Sequence, residues 1–417
     1  MTSGAVATAT IRTGLVLGVR LLVLAGTLLL VARMLGSQQF GVFAGACSLA
    51  LFLGSLSSFG SQLMMLRAVS KNAESSEEIL SYAIPLVLLL GAIALVCFLV
   101  VMSWAIPSAQ ISFGVLLAIG FAETILQPFL GLMSAEHHGL GRVARSQALQ
   151  FSPLALRFIF ALLVSFIGFQ DVLSAYALGY FLASVAALVL GAYYLPKSWP
   201  NWRKWRVVTL TYISASCSYA AINFCKSGSA ELDKAVALKL LPVDLVGLYA
   251  AGSRVLGALM LPVSAMVVSA VPYIFRSQDA HLHDTRRMVF YMSGVSFAYS
   301  LFLLVGLWIA SPFIEIIFGD GFKGLSEILR IFCFAIPGLS LRLVSGNALM
   351  AIGRPWLRVG LEVIGLVTLV ASSICFVIFV GEKYMPFAVI LSESIMGVFG
   401  ILILRSVLYK KSIPSCF

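Results

Sequence analysis

The sequence predicts an all-α polytopic membrane protein of about 12 transmembrane helices, arranged as two six-helix bundles related as parallel repeats. Three observations carry this. Of 417 residues, 60% are hydrophobic and only 11% charged, whereas soluble domains carry about 25% charged residues. Basic residues recur in every second connector. A segment near the N-terminus matches one 206 residues later. The composition excludes a disordered chain and a disulfide-stapled secreted scaffold, and it leaves no room for a separate soluble domain.

Candidate spans fall at 14–34, 40–64, 79–104, 112–134, 148–168 and 172–195, and then at 207–230, 244–272, 287–310, 324–350, 356–380 and 386–408. Residues 1–195 form the N-terminal bundle, 196–206 a linker and 207–417 the C-terminal bundle. Met1 to Thr13 carries a single Arg12 and no persuasive cleavage site, so it does not read as a removable signal peptide.

Orientation follows from the connectors. Arg67 and Lys71, Arg142 and Arg145, Lys197 to Arg206, Arg276 to Arg287, and Arg354 with Arg358 occupy alternate loops, and Arg405, Lys410 and Lys411 follow at the end. The loops around Pro107 and Asp171 hold no Lys or Arg. Both termini are therefore expected in the cytoplasm. The same bias accounts for the net charge of +11 without nucleic acid.

The linker from Pro196 to Arg206 combines prolines, cations and three tryptophans, a composition suited to lipid headgroups; docking of a soluble partner is the alternative. Glu74 to Glu78 reads as a solvated helix start. Seven cysteines show no metal-ligand spacing and read as small core residues.

The stretch around which the second half is organised is Val207 to Gly252. Tyr212, Ser216, Tyr219, Asn223, Lys226, Ala230 and Asp233 follow at steps of four and three, which places them on one helix face. A polar face in lipid must meet protein or water, because an intramembrane charge costs roughly 2.5–3.5 kcal/mol on insertion scales. The 206-residue offset pairs Arg33 with Lys239, Gly41 with Gly247, Phe43 with Tyr249 and Ala44 with Ala250. It also pairs Thr13 with Tyr219, Arg20 with Lys226 and Thr27 with Asp233. A fixed offset held over both a polar stripe and a Gly-aromatic-Ala turn points to two related halves.

Arg20, Arg157, Lys226, Arg254 and Arg342 lie in apolar segments drawn from both halves. If these spans face one another they line a hydrated cationic cavity, and arginine's planar fork then favours phosphate or diphosphate. Each one singly also reads as a snorkelling side chain or a packing pair, the better reading for Arg330 with Glu327, one turn apart. Asp233, Glu123 and Glu393 are candidates for coupling to H⁺ or Na⁺, or for gating; Asp233 reads equally as a structural ion pair, and for Glu123 and Glu393 the structural reading is the stronger. No catalytic residue, metal site or cofactor is expected: His137-His138 and His281-Leu-His283-Asp284 fall in predicted loops without further ligand spacing.

At LDKAVALKLLPVDLVGLYAAG and the matching VARMLGSQQFGVFAG the chain resembles the polysaccharide transporter family. These are the Wzx-type flippases of the multidrug/oligosaccharidyl-lipid/polysaccharide exporter superfamily. The segment FGDGFKGLSEILRIFCFAIPGLSLRLVSGNALMAIGRPWLRVG looks like a third recurring region of that family. The resemblance implies two six-helix bundles around a central cavity, with the first and seventh spans flanking a lateral opening.

The implied substrate is an undecaprenyl-diphosphate-linked glycan, moved to the outer leaflet for O-antigen or exopolysaccharide synthesis. The implied partners are that lipid-linked glycan, membrane lipids and polysaccharide assembly proteins. Asp233, Lys234, Gly247, Tyr249, Gly41 and Phe43 match the family pattern, while Pro242 stands where the family often has Gly. The rivals are a cation-coupled multidrug exporter of the same superfamily, a membrane glycan polymerase or ligase, and a non-transporting scaffold of an assembly complex.

Overall fold

The computed structural model describes residues 3–105, 111–195, 199–264, 266–267 and 282–410. Pro107, Pro196, Lys197, Ser198, Arg276, His281, Lys411 and Cys416, and the side chains of Arg12, Thr13, His283, Asp284 and Lys410, lie outside what is described. Described residues are almost wholly helical, with no strand among them. In order they form α1 (Ser3–Ser57), α2 (Ser61–Lys71), α3 (Ser75–Ala105), α4 (Phe113–Phe121), a π-helical turn (Ala122–Leu126), α5 (Gln127–Gly139), α6 (Val143–Ile167) and α7 (Val172–Tyr193). There follow α8 (Leu210–Leu240), α9 (Val243–Leu259), α10 (Leu282–Phe318), α11 (Leu325–Phe332), α12 (Ile336–Ala351), α13 (Pro355–Phe379) and α14 (Pro386–Lys410). Among the described residues, nine helical segments are long and apolar enough to cross a membrane. The protein is a multi-pass membrane protein.

The chain divides into two compact units, Met1–Phe224 and Cys225–Phe417. The division falls inside α8, so the polar-striped helix contributes its first half to one unit and its second half to the other.

The repeat is visible in the backbone. The expected spans 14–34 and 40–64 are joined in α1, which is broken at Gly36 (φ 67, ψ 174). That backbone region is essentially reserved for glycine. Exactly 206 positions on, Pro242 (φ −57, ψ 147) separates α8 from α9. Proline cannot continue a helix, because it lacks the N–H and its ring clashes with the preceding turn, so two different residues make one break in the two halves. Span 40–64 also ends early: the chain turns at Phe59 (φ 41) and Gly60 (φ 75) before α2 begins.

Inside a bilayer, lipid tails are as apolar as leucine, so helices associate through close packing instead of hydrophobic transfer. The buried faces accordingly use small residues: Ala32, Ala44, Ala46, Ser48 and Ala50 are fully enclosed on α1. Many other large apolar side chains point outward, as with Phe166, Phe302 and Phe379.

The π turn has a local cause. Pro128 has no N–H to return to the carbonyl of Thr124, and the ladder widens at that point. Two helices press glycines against the widened turn. A Cβ on Gly54 would lie 2.4 Å from the carbonyl oxygen of Glu123, and one on Gly91 would lie 2.8 Å from that of Thr124.

Capping fixes the helix starts. Asp171 accepts from the backbone N–H of Ser174 (3.1 Å) at the start of α7, and these hydrogen bonds hold its carboxyl below the ordinary aspartate range. Glu315 reaches across from α10 to accept from the N–H of Ser326 (2.7 Å) at the start of α11.

The described part of the linker is pinned to the first unit. Trp199 donates to Glu136 (3.3 Å), Lys204 pairs with Glu77 (2.7 Å), and the N–H of Arg206 donates to the carbonyl of Ser81 (2.9 Å). Trp202, Trp205 and the basic side chains remain exposed. His137 and His138 are not in a loop: they occupy the last turn of α5, where His137 is completely buried.

Candidate functional site: two buried charge clusters and two open cations

In the first unit, Glu123 on the π turn meets Arg157 on α6 at 2.7 Å. The guanidinium also donates to Ser184 (2.9 Å) and lies 3.6 Å from the centre of the Tyr180 ring, while the Tyr180 hydroxyl donates to the same Glu123 oxygen. Glu123 Oε2 and Arg157 Nε are buried and make no hydrogen bond among the described residues. Phe43, one of the repeat positions, packs edge-on against Tyr176 and Tyr180, so the repeat motif supports the cluster from beneath.

In the second unit, Arg342 on α12 holds two acids: Glu393 on α14 at 2.6 Å and Glu362 on α13 at 3.1 Å. Glu362 further accepts from Ser229 on α8 (2.5 Å), and Arg358 stands 3.9 Å from it. The two clusters occupy corresponding spans with reversed polarity. The acid precedes the arginine in the first unit (Glu123, Arg157) and follows it in the second (Arg342, Glu362).

Asp233 is buried on α8 beside Lys234 (3.1 Å), and it accepts from the hydroxyls of Tyr249 and Ser253, both at 3.3 Å. Tyr249 is the repeat partner of Phe43; here its added hydroxyl has an acid to meet where the first half has Thr27. Asp233 and Glu393 also line one small cavity of about 20 Å³ with Ser229 and Ser392, room for about one water-sized occupant.

The polar stripe of α8 is not a single cavity face. Its first half is bonded to α2, with Tyr212 against Ser61 and Tyr219 against Arg67, both at 3.0 Å. In its second half Lys226 is exposed, whereas Asp233 is buried.

The five predicted cations therefore separate. Arg157 and Arg342 are locked by carboxylates inside their own units. Arg254 is half-buried on α9 within electrostatic reach of Lys234. Arg20 and Lys226, which the repeat pairs with each other, are both exposed on apolar helices. Neither makes a hydrogen bond or ion pair among the described residues.

Arg330 does not rely on Glu327. It donates to Ser311 (3.2 Å) and lies over the Trp308 ring, because α11 packs on α10. Arg358, expected in a loop, is instead buried in the first turn of α13. The signal for this was present: Pro355 suits a first helical position, and Arg358 and Glu362 are spaced i, i+4.

Comparison with known proteins adds the lineage. A model of the family described as polysaccharide biosynthesis protein matches residues 8–278. No curated protein sequence matches the chain. Among solved structures, an inward-facing multidrug resistance MATE family transporter of the MOP superfamily is similar with a TM-score of 0.70 at 14% identity, over 94% of this chain and 96% of that one. An outward-facing structure of such a transporter gives 0.68 at 14% identity, over 95% and 96%. A MOP superfamily transporter from Pyrococcus furiosus, whose binding pocket is described as of reverse polarity suggesting a different function, gives 0.65 at 15%, over 94% and 93%. The shared fold is that of these transporters.

Proposed function

This chain belongs to the polysaccharide biosynthesis protein family, and we propose that it serves there as a flippase. It carries an undecaprenyl-diphosphate-linked oligosaccharide across the inner membrane by alternating access, for O-antigen or exopolysaccharide assembly, with both termini in the cytoplasm and without catalysing a reaction. Solved relatives in fold, captured facing inward and facing outward, support alternating access.

The observation that carries the reading is the pair of open cations. Arg20 and Lys226 stand 206 residues apart at equivalent repeat positions, on apolar helices, exposed and without a hydrogen bond or ion pair among the described residues. A diphosphate crossing about 30 Å of hydrocarbon needs such partners, and the polyprenyl tail can stay in lipid. A multidrug exporter of cations would need open acids instead. Here Glu123, Glu362 and Glu393 are each held by an arginine.

Coupling to H⁺ or Na⁺ is assigned to Asp233 and Glu393, which with Ser229 and Ser392 are the polar residues lining one water-sized cavity. Glu123, with one buried oxygen unbonded, is the third candidate. Leu366, Leu369, Val389 and Met396 also line the Asp233–Glu393 cavity, so two acids and two serines face a mostly apolar space, which suits a proton exchanged at a carboxyl.

The test is the location of lipid-linked oligosaccharide in cells lacking the protein and in cells carrying Arg20→Gln or Lys226→Gln. Accumulation on the cytoplasmic side in all three is expected. Glycan already displayed outside but not elongated would point to a polymerase and overturn the reading.

A further inference from the structure

Arg358 has an unusual set of neighbours for a buried cation. Its guanidinium is held by Asn347 (3.3 Å) and Met350 (3.6 Å), over Gly346, where a Cβ would lie 3.5 Å from Nε. The nearest carboxylate oxygen, on Glu362, is 3.9 Å away, beyond hydrogen-bond distance. Glu362 is already engaged, since both its oxygens accept from Arg342 and one also accepts from Ser229.

Lys226 lies one turn before Ser229 on α8, and Arg358 lies one turn before Glu362 on α13. The bonded Ser229–Glu362 pair therefore brings the two turns together, and Lys226 lies within electrostatic reach of Arg358 and Glu362. Three cations (Lys226, Arg342 and Arg358) share two carboxylates (Glu362 and Glu393), and the surplus charge sits on the Lys226–Arg358 side. A buried charge without a full partner is costly unless a ligand completes it.

From this geometry we propose that Lys226 and Arg358 form an anion site for a phosphate or diphosphate group, with Arg358 pre-positioned by Asn347 and Lys226 supplying the mobile second charge. The planar fork of Arg358 takes two phosphate oxygens, and the ammonium of Lys226 takes a third. Arg342 does not bind the anion; it neutralises Glu362, the carboxylate 3.9 Å from Arg358, together with Glu393.

For its substrate the site rests on the flippase reading; its phosphate chemistry does not depend on that reading.

The test uses the full-length protein in nanodiscs, with amine labelling of Lys226 read by mass spectrometry. The probes are farnesyl diphosphate, inorganic diphosphate and phosphatidylglycerol in the surrounding bilayer. The expected result is that a phosphate probe slows labelling of Lys226 about tenfold in the wild-type protein, as for a charge-assisted contact, and that Arg358→Gln removes the protection while Arg358→Lys keeps part of it. Because labelling is read in the wild-type protein, the test stands even where a variant folds poorly.

Protection by farnesyl diphosphate alone assigns the site to a prenyl-linked substrate. Protection by inorganic diphosphate as well assigns it to the phosphate group as such, and protection by phosphatidylglycerol assigns it to a headgroup. Labelling unaffected by all three probes, or protection that survives Arg358→Gln, overturns the site. Failure of lipid-linked oligosaccharide to accumulate in cells lacking the protein would instead overturn the flippase reading and leave the labelling result intact.

Discussion

Arg342 Nε lies 2.6 Å from Glu393 Oε2, and the same guanidinium reaches Glu362 at 3.1 Å, so one arginine ties α12 to both α13 and α14. All three side chains are buried. Removing the cation leaves two carboxylates enclosed without it. Arg342→Gln is expected to destabilise the protein by about 3–5 kcal/mol, read as a lowered unfolding midpoint in detergent. Glu393→Gln, which leaves Arg342 with Glu362, is expected to cost less. Equal midpoints for Arg342→Gln and the wild type would show that the triad is not formed in the folded protein.

Glu123 and Arg157 make the corresponding tie in the first unit. Because buried Glu123 is paired with half-buried Arg157, Glu123→Gln and Arg157→Gln are expected to be non-additive. The doubly neutral variant should be more stable than the sum of the single losses by about 0.5–3 kcal/mol. A double-mutant cycle on unfolding free energy measures this directly, and additive losses would contradict the pairing.

The π turn that carries Glu123 depends on the absence of a side chain at Gly54, whose Cβ would lie 2.4 Å from the Glu123 carbonyl oxygen. Backbone cannot yield as a side chain can, so Gly54→Ala is expected to cost about 1–3 kcal/mol. Gly114→Ala has nothing within 4 Å of the new methyl group and serves as the neutral comparison. Thermal unfolding of the two variants side by side separates close packing from a general preference for alanine in helices.

At Gly36 the demand is on the backbone instead. No atom lies within 4 Å of a Cβ there, yet φ is +67. Gly36→Ala is expected to destabilise by about 1–3 kcal/mol through conformation alone. Pro242→Gly at the equivalent break should be tolerated better, because glycine can adopt that conformation. A larger loss for Pro242→Gly than for Gly36→Ala in unfolding experiments would show that the two breaks are not equivalent.

Much of this organisation was legible beforehand. The alternation of apolar segments and basic connectors, and the 206-residue offset, indicate the helical membrane class and the repeat without any contact. The intramembrane charges were also identifiable, since a Glu or Arg within an apolar run stands out singly. Their partners were not. Glu123 and Arg157 are 34 positions apart, and Arg342 and Glu393 are 51 apart, so nothing local joins them.

Arg358 illustrates the complementary limit. Its distance from the basic loop is a few residues, and at that resolution loop and first helical turn look alike. The stripe on α8 shows the same effect over a longer distance, because a shared helix face does not dictate which neighbour each turn meets. Tyr212 and Tyr219 meet α2, whereas Lys226 remains open.

The sequence by itself determined that this protein lives in a membrane, that it is helical and built twice over, and that cations outnumber acids within its spans. These follow from composition and periodicity, which act on each segment independently: a bilayer forces every apolar stretch to satisfy its own backbone as a helix. Only the tertiary structure decided which cations are neutralised and which remain open. In a low-dielectric interior, pairing depends on contacts of 3 Å between helices remote in the chain, and those distances arise from packing, with no counterpart in local order.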